Sequence, residues 1–529
     1  MAEGSTTSLH ASVRLLLPSV SDVMFVGMLA ALVFTPLSVR LLGDAGVGWH
    51  IRTGQLILAT HAIPRADVFS ATMHGKAWFA WEWLYDVLVG WLERAAGLRA
   101  VVWYTAVMIA AIFAWTFRLL IRRGANLLIA LVLVLLAASA SMIHFFTRPH
   151  VMSWLFALVW FCVLDSFERR GGRLVWLLPL LMMLWVNVHG GFLIGFVLLA
   201  IYWVSAAWQW LALGENKLEE FLTKLSARTR ALTLGSVGVL SLAATLVNPY
   251  GWRLHVHVYQ YLSNRFLMDH IDEFQSPNFH GVAERCFAGL LLITLVALAR
   301  RARPLLISEG LVILFAAFSG VYASRNIPVS ALLLVMVAGP LLPKDSFIRL
   351  IGARGTRLRA TAQSAPVPAF LERMGAVESN LRGHLWAMAA LLVTGWAVAH
   401  GGSLGSRLGI DAHFDSKRFP VKAVDYLQTS GLPQIVIVPD YWGGYLIYRL
   451  YPQGLVAVDD RHDLYGETFL KSYLKLVRVE RGWDELLREY DIRCVMAPRG
   501  SALNNILALQ QDWHETYEDD VAVIFVRTS

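Results

Sequence analysis

The stretch GDAGVGWHIRTGQLI, residues 43–57, places three chemically active side chains close together just after an apolar run. Asp44 provides a carboxylate, His50 an imidazole and Arg52 a guanidinium. A carboxylate that is partly withdrawn from water has a raised pKa, which suits it to take the proton of a hydroxyl group. Asp44 is therefore a candidate general base, with His50 and Arg52 as candidate substrate contacts. The alternative is a simple turn residue, because GDAG is a turn-like sequence.

A second acid, Glu82, lies between two tryptophans in the sequence FAWEWLYD. It could position an acceptor or a metal, or it could face water at a membrane surface. His255 and His257 could chelate a metal from a strand or loop, but not from one face of a helix. No neighbouring carboxylate pair or cysteine completes such a site. A divalent cation is thus possible, but the sequence does not identify a metal site.

Two arginines, Arg148 in TRPH and Arg325 in SRNIP, each border an apolar run at a helix-breaking sequence. A guanidinium fork suits a phosphate group, although either arginine could instead anchor lipid headgroups. His189, in WVNVHGGF, precedes two glycines that would let a ligand approach the backbone closely. A structural histidine is the alternative. Together, Arg148, Arg325 and His189 are candidates for a phosphate clamp.

The elements that must position these residues are apolar helices. The chain has 529 residues, of which 57% are hydrophobic and 16% charged, whereas soluble proteins carry about 25% charged residues. A helical membrane crossing needs about 20 mostly apolar residues. About eleven such helices are expected within a membrane domain of residues 1–402. The apolar runs lie near residues 23–42, 100–121, 126–146, 150–167, 173–188, 191–213, 231–247, 283–300, 305–322, 327–342 and 385–401.

Loop charges predict the orientation of these helices. The segment 79–96 is rich in tryptophan but carries several charges, which is typical of a helix lying in the membrane interface. If it does not span, the basic loops fall on the N-terminal side, including the long loop 343–384. The positive-inside rule makes that side cytoplasmic. A first outer loop, residues 43–99, and the other polar clusters then face the opposite side.

Residues 411–529 predict a separate water-soluble domain on the outer side. Apolar strand patterns alternate with amphipathic helices, which favours a small α/β domain with a largely parallel sheet. The sequence DDRHDLYG follows a predicted strand, where α/β folds place ligands. Asp460 and Arg461 could there bind a polar acceptor. A charged loop between strand and helix is the alternative.

Several function classes are disfavoured by the sequence. The net charge of +8 resides mostly in short loops between apolar runs, so membrane topology explains it better than a nucleic-acid partner does. Sequence motifs typical of metalloproteases, P-loop ATPases and serine hydrolases are absent. The three cysteines show neither metal-ligand spacing nor a disulfide framework.

The chain resembles bacterial integral-membrane glycosyltransferases of the GT-C superfamily. The resemblance is carried by Asp44 after the first helix, by GWHIRTGQLILATHAIPRADVFS and WEWL, and by WVNVHGGF, NPYGWRL and SRNIP. The tail contributes FPVKAVDYL, DYWGGYLIYRLYP, VAVDDRHDLYG and AVIFVR. In that superfamily a first-loop acid acts as the base or helps to hold a metal, and Asp44 is the matching position. Many members have two adjacent acids there; this chain has Ala45, which leaves Glu82 or Asp67 as a second acid.

The resemblance implies an enzyme of the bacterial cytoplasmic membrane with a cytoplasmic N-terminus. It would move a sugar from a polyprenyl-phosphate-linked donor to a glycan, lipid or protein acceptor on the outer face, usually with inversion. The hexose or pentose and the acceptor are not indicated. A transporter or flippase for lipid-linked saccharides, or a polymerase or ligase of them, is the alternative, although the internal repeats common in transporters are not evident.

Overall fold

The computed structural model describes residues 11–213, 218–343, 366–381, 384–405, 408–433 and 435–528. Most of the chain before residue 400 is helical. The helices of this part are α1 Ala11–Leu16, α2 Val20–Phe34, α3 Leu37–Leu41, α4 Gly46–Thr60, α5 Trp83–Ala96, α6 Leu98–Arg122, α7 Leu127–Ser141, α8 His150–Arg170, α9 Leu178–Val186, α10 Leu193–Ala212, α11 Leu218–Ala244, α12 Arg253–Ser263, α13 Arg265–His270, α14 Val282–Arg300, α15 Ile307–Tyr322, α16 Ile327–Leu341, α17 Pro366–Asn380 and α18 Leu385–Ala399. Short 3₁₀ helices cover Met142–His144, Leu174–Leu177, Gly190–Phe192, Asp272–Phe274 and Ser324–Asn326.

The helices begin and end where the sequence supplies caps and breakers. Asn126 starts α7 by accepting a hydrogen bond from the amide of Leu128 at 2.9 Å. Pro36 separates α2 from α3. Gly97 ends α5 in the left-handed region, with φ of 68°. The apolar runs between such residues become the helices of the bundle, and α16 is buried along nearly its whole length.

A multi-spanning helical architecture is confirmed, whereas the count of eleven spans is not. In the described part of the chain, seven helices are long and apolar enough to cross a membrane, and the bent pair Arg373–Asn380 and Leu385–Ala399 would make eight. The apolar segments Leu174–Val186 and Ile307–Tyr322 form shorter helices. Run 231–247 became the second half of α11, whose first half carries charged residues.

The region 43–99 contains two helices, α4 and α5, rather than one. Both helices carry glycines where they cross. A Cβ at Gly54 would lie 1.8 Å from the carbonyl oxygen of Asp86, and one at Gly90 would lie 2.7 Å from the amide nitrogen of Gln55. The glycines of α4 resemble turn residues in the sequence, but they permit close backbone contact between the two helices.

The C-terminal domain is a mixed α/β unit. Two short strands, β1 Ser403–Leu404 and β2 Leu408–Gly409, precede it and pair with each other. Its own strands are β3 Ile435–Ile437, β4 Leu455–Val456, β5 Cys494–Pro498, β6 Trp513–Glu518 and β7 Ala522–Arg527. They form a sheet of order β4-β3-β5-β7-β6, in which β3 pairs in parallel with β4 and β5, and β7 pairs antiparallel with β5 and β6. The predicted largely parallel sheet is therefore parallel in one half only. The helices are α19 Val421–Thr429, α20 Asp440–Leu450, α21 His462–Arg478, α22 Glu485–Glu489 and α23 Ala502–Leu507.

This domain packs directly on the first loop of the membrane part. Helix α20 crosses α4 at Gly48 and Gly444, where a Cβ on Gly48 would lie 2.1 Å from the Gly444 carbonyl oxygen. Ser70 forms an isolated parallel bridge with Val456 of β4. The first loop and the C-terminal domain thus form a continuous packed layer over one end of the helix bundle.

Part of the basic loop predicted at 343–384 lies outside the described residues, at 344–365 and 382–383. Its described portion includes α17. Glu378 on this helix accepts a hydrogen bond from the amide of Val20 at 2.8 Å and forms an ion pair with Arg118 at 3.5 Å. The loop is therefore anchored to the N-terminal end of α2.

Candidate active site

A cavity of about 1140 Å³ lies between the end of the helix bundle, the first loop and the C-terminal domain. The connections α7–α8, α9–α10 and α15–α16 border it, so these helix ends meet on one side of the bundle. Seven residues proposed from the sequence border this cavity. They are Asp44, Glu82, Arg148, His189, Arg325, Asp460 and Arg461.

Arg148 is placed beside Asp44 by a backbone contact between two helix ends. The amide of Thr147 donates to the carbonyl of Leu41 at 2.8 Å, which ties the TRPH sequence to α3. Nη1 of Arg148 then donates to Oδ1 of Asp44 at 2.9 Å and to Oδ2 of Asp460 at 3.0 Å. One guanidinium therefore bridges an acid of the membrane part and an acid of the C-terminal domain.

The two acids bound to Arg148 differ in their remaining contacts. Oδ1 of Asp44 also accepts a hydrogen bond from the amide of Gly46 at 2.8 Å; its Oδ2 has no hydrogen-bond partner among the described residues. Both oxygens of Asp460 are engaged, because Oδ1 accepts from Nε1 of Trp49 at 3.0 Å. Burial raises the pKa of Asp460 to about 6, with Arg148 opposing and Asp44 adding to the effect. Asp44 thus retains an oxygen that can accept a proton, whereas Asp460 holds Arg148 in place.

Glu82 lies on the cavity wall between two histidines. Its Oε2 is 3.7 Å from Nε2 of His50 and its Oε1 is 3.7 Å from Nε2 of His189. Both distances exceed those of hydrogen bonds. Burial raises the pKa of Glu82 to about 8 against the opposing charge of Arg148. The side chain is therefore protonated at neutral pH and can donate a hydrogen bond into the cavity.

His50 does not border the cavity but lies behind Glu82. Its side chain is fully buried, and Nδ1 is 2.6 Å from Oδ1 of Asp86. Burial lowers the pKa of His50 well below its usual value and raises that of Asp86 well above. The sequence predicted that His50 contacts the substrate. In the structure His50 instead supports the part of the cavity wall that carries Glu82.

The N–H donors of Arg52 and Arg461 are already bound by other protein groups. Nε and Nη2 of Arg52 donate to the carbonyl of Tyr448 at 2.8 and 2.5 Å, which holds α20 against α4. Arg461 is 2% exposed and pairs at 2.7 Å with Asp67 and with Asp459. Both arginines connect the C-terminal domain to the first loop. Neither guanidinium is free for a ligand, and Asp67 is likewise bound by Arg461.

Arg325 borders the cavity from the short 3₁₀ helix Ser324–Asn326. Its guanidinium carbon is 4.4 Å from the ring centre of Phe274. Burial by itself would raise the pKa of Glu273, but the surrounding basic groups, with Arg325 the strongest of them, together outweigh burial and lower this pKa to about 2. Glu273 is thus an ionised carboxylate on the cavity wall next to Phe274.

A histidine–aspartate pair from the C-terminal domain also borders the cavity. Nε2 of His462 is 2.9 Å from Oδ2 of Asp440. Burial opposes protonation of His462, but Asp440, together with Asp460 and Asp459, outweighs burial and raises the pKa of the imidazole. Sequence reasoning did not single out Asp440. The sequence did contain a signal for it. Asp440 follows β3 just as Asp460 follows β4, so both lie at the same edge of the sheet.

The described residues do not fit a metal centre. They contain no group of three or more His, Cys, Asp or Glu side chains arranged to hold an ion. His255 and His257 lie on helix α12 rather than on a strand or loop, and they face different partners. His255 bonds with Thr245 at 2.8 Å and His257 with Asp463 at 2.9 Å.

Comparison with known proteins identifies the architecture. No protein-family model and no curated protein matches the chain. ArnT from Cupriavidus metallidurans bound to undecaprenyl phosphate matches with a TM-score of 0.50 at 16% identity, over 96% of this chain and 98% of ArnT. The arabinofuranosyltransferase AftD from Mycobacteria also gives a TM-score of 0.50, at 13% identity, over 96% of this chain but only 41% of AftD. The chain therefore has the fold of GT-C membrane glycosyltransferases, as its sequence resemblance predicted.

Proposed function

We propose that the chain is a membrane glycosyltransferase that moves a sugar from a polyprenyl-phosphate-linked donor to an acceptor hydroxyl. The observation that carries the proposal is the bridge from Arg148 to Asp44 and Asp460 inside the cavity. Through this bridge the Arg148 guanidinium, the Asp44 carboxylate with its free Oδ2, and Asp460 of the C-terminal domain lie side by side. The fold shared with ArnT, which was determined with undecaprenyl phosphate, supports a lipid-linked donor.

The donor phosphate is assigned to the wall formed by Arg148, Arg325 and His189. In the reaction the bond between the sugar C1 and the phosphate oxygen breaks, and the departing polyprenyl phosphate gains negative charge. Fixed cations and N–H donors stabilise such charge most strongly in a site shielded from water. Arg148 and Arg325 supply the positive charge, and His189 supplies a hydrogen bond.

Asp44 is assigned as the general base. As the acceptor oxygen attacks C1 from the face opposite the phosphate, its proton passes to the free Oδ2 of Asp44. This direct displacement inverts the configuration at C1. Protonated Glu82 donates a hydrogen bond to an oxygen of the bound substrates, and no step depends on a metal ion.

The acceptor is assigned to the side of the cavity formed by the C-terminal domain. Asp440 holds Nε2 of His462 there, and the imidazole offers its other ring nitrogen to the acceptor, whereas the oxygens of Asp440 and Asp460 are engaged by other protein groups. We further propose that this side faces away from the cytoplasm of a bacterium, with the N-terminus inside. The charge distribution of the loops supports this orientation.

The test is sugar transfer by the purified full chain in lipid nanodiscs. Polyprenyl-phosphate-linked hexoses and pentoses would serve as donors, and release of polyprenyl phosphate would be measured with and without acceptor extracts. We expect release that depends on both substrates and is lost in Asp44→Asn. Equal release by Asp44→Asn would exclude Asp44 as the base. Translocation of an intact donor without cleavage would contradict the proposed reaction.

A further inference from the structure

His189 belongs to a chain of three hydrogen bonds. The two ends of this chain, the Gly191 amide and the Trp185 indole, can only donate. The backbone amide of Gly191 donates to Nδ1 of His189 at 3.0 Å. Nε1 of Trp185 donates to Oγ of Ser153 at 2.8 Å. Oγ of Ser153 lies 2.8 Å from the same Nδ1. Because an amide N–H cannot accept a hydrogen bond, Nδ1 of His189 must be the acceptor from Gly191 and therefore also the acceptor from Ser153.

The indole of Trp185 occupies one of the two acceptor positions of the Ser153 hydroxyl and holds its oxygen in place. Because Nδ1 of His189 already accepts from the Gly191 amide, the hydroxyl donates its proton to that nitrogen. Nδ1 therefore accepts from both Ser153 and Gly191. A proton on Nδ1 would face the proton of the Gly191 amide. In the neutral imidazole the proton must then reside on Nε2.

The surroundings of His189 agree with this direction. Ser153 is 2% exposed and Trp185 is fully buried, so water does not replace either partner. Gly191 must be glycine, since a Cβ there would lie 2.6 Å from Oγ of Ser153 and 2.8 Å from Nδ1 of His189. Burial and then the charge of Arg325 lower the pKa of His189 well below its usual value.

We propose that Ser153 and Trp185 are positioning residues that fix His189 as the Nε2–H tautomer, so that a neutral N–H donor faces a phosphate oxygen in the cavity. This inference rests on the proposed function for the identity of the ligand. Nε2 has no hydrogen-bond partner among the described residues, and Oε1 of Glu82 lies 3.7 Å away, beyond hydrogen-bond distance. Recognition of the phosphate by His189 then requires no protonation of the imidazole.

The tautomer can be measured independently of any activity. Nitrogen NMR of the full chain, labelled at histidine and reconstituted in nanodiscs, distinguishes a protonated ring nitrogen from an unprotonated one. The spectrum of His189→Gln identifies the His189 signals by their loss. We expect a proton on Nε2 in the wild type and a partial shift toward the other tautomer in Ser153→Ala. A proton on Nδ1 in the wild type would overturn the inference.

Binding of undecaprenyl phosphate tests the consequence. The amide of Gln reaches the position of Nε2, whereas that of Asn reaches only the position of Nδ1. We therefore expect His189→Gln to retain most of the affinity and His189→Asn to lose it. Loss of one hydrogen bond by Ser153→Ala should weaken binding about 3- to 10-fold. The same change in the His189→Gln background should cost little more.

Ser141→Ala is the matched control, because Ser141 is a buried serine whose hydroxyl bonds only to the carbonyl of Ala137 in its own helix. We expect it to leave binding unchanged. Additive losses from Ser153→Ala and His189→Gln would show that Ser153 acts independently of His189 and would overturn the inference. If the wild type bound no undecaprenyl phosphate, the phosphate role would fail together with the proposed function, while the NMR result would still decide the tautomer.

Discussion

Nη1 of Arg148 donates to Oδ2 of Asp460 at 3.0 Å, across 312 residues of sequence. The contact joins the beginning of a membrane helix to the loop after β4 of the C-terminal domain. The same nitrogen binds Asp44. The C-terminal domain is therefore a part of the site, and it holds the cation that the donor phosphate requires under the proposed function.

Replacement of Arg148 should remove most of the transfer activity. Arg148→Met leaves two carboxylates without their shared cation and removes charge stabilisation from the leaving phosphate, so we expect kcat/KM to fall by about 100-fold or more. Arg148→Lys keeps the positive charge but loses the several fixed N–H donors of the guanidinium, and should retain more activity than Arg148→Met. Steady-state kinetics in nanodiscs measures both. Arg40→Met is the control, since Arg40 is exposed and does not border the cavity; a similar loss there would point to a general effect of charge.

The two acids bound to Arg148 should respond differently to amidation. Asp44→Asn removes the proposed base, so kcat should fall by about 10² to 10⁴-fold while undecaprenyl phosphate still binds. Asp460→Asn keeps the bond from Trp49 but weakens the hold on Arg148, so its effect should appear mainly in substrate affinity. Parallel measurements of kcat and of lipid binding separate the two. If Asp460→Asn shows the larger loss in kcat, the base assignment must be exchanged.

The sequence predicted a multi-spanning helical part, though not its number of spans, and it predicted that Asp44, Glu82, Arg148, His189 and Arg325 line one cavity, as they do in the structure. Apolar length and loop charge carry that information, because both are local along the chain. The partners of Arg52 and Arg461 could not be predicted in the same way. Each arginine has a partner nearly 400 residues away, Tyr448 for Arg52 and Asp67 for Arg461. Nothing in the local pattern distinguishes a buried ion pair of this kind from a ligand site.

The sequence did not predict helix α4, because glycines such as those of GDAG are typical of turns. Val47, His50, Ile51, Gly54 and Ile57 are buried at helical spacing, so the periodic signal was present. Glycine recurs on this helix because neighbouring backbone and side chains leave no room for a Cβ. Close packing between elements distant in sequence therefore determined the residue type, and that packing cannot be read locally.

Gly46 gives a direct test of this packing at the site. A Cβ on Gly46 would lie 1.5 Å from Nη1 of Arg148 and 2.6 Å from Oδ2 of Asp460. We expect Gly46→Ala to displace the guanidinium and to reduce kcat/KM about as strongly as Arg148→Lys. Gly27→Ala is the matched control, because no atom lies within 4 Å of its added Cβ. Wild-type kinetics in Gly46→Ala would show that the bridge is not needed for activity.

The protonation of Glu82 should limit activity at alkaline pH. Its pKa of about 8 means that the side chain donates a hydrogen bond below this pH and becomes an anion above it. Wild-type transfer should therefore decline as pH rises through about 8. Glu82→Gln mimics the protonated acid and should keep activity at neutral pH while abolishing this decline. The measurement is the pH profile of kcat/KM for the wild type and for Glu82→Gln. A decline above pH 8 that persists in Glu82→Gln must arise from another group.

Arg461 should be required for stability rather than for chemistry. It is buried between Asp67 and Asp459, and its guanidinium carbon is 4.6 Å from the ring centre of Trp78. Removing one partner of a buried ion pair costs about 3–5 kcal/mol, so Arg461→Met should lower the melting temperature and expose the junction between the first loop and the C-terminal domain to proteases. Arg493→Met provides the comparison, because Arg493 forms an exposed ion pair with Asp491 in the same domain, and it should melt like the wild type. If Arg461→Met were as stable and protease-resistant as the wild type but lost acceptor affinity, Arg461 would have to be reassigned as an acceptor-binding residue.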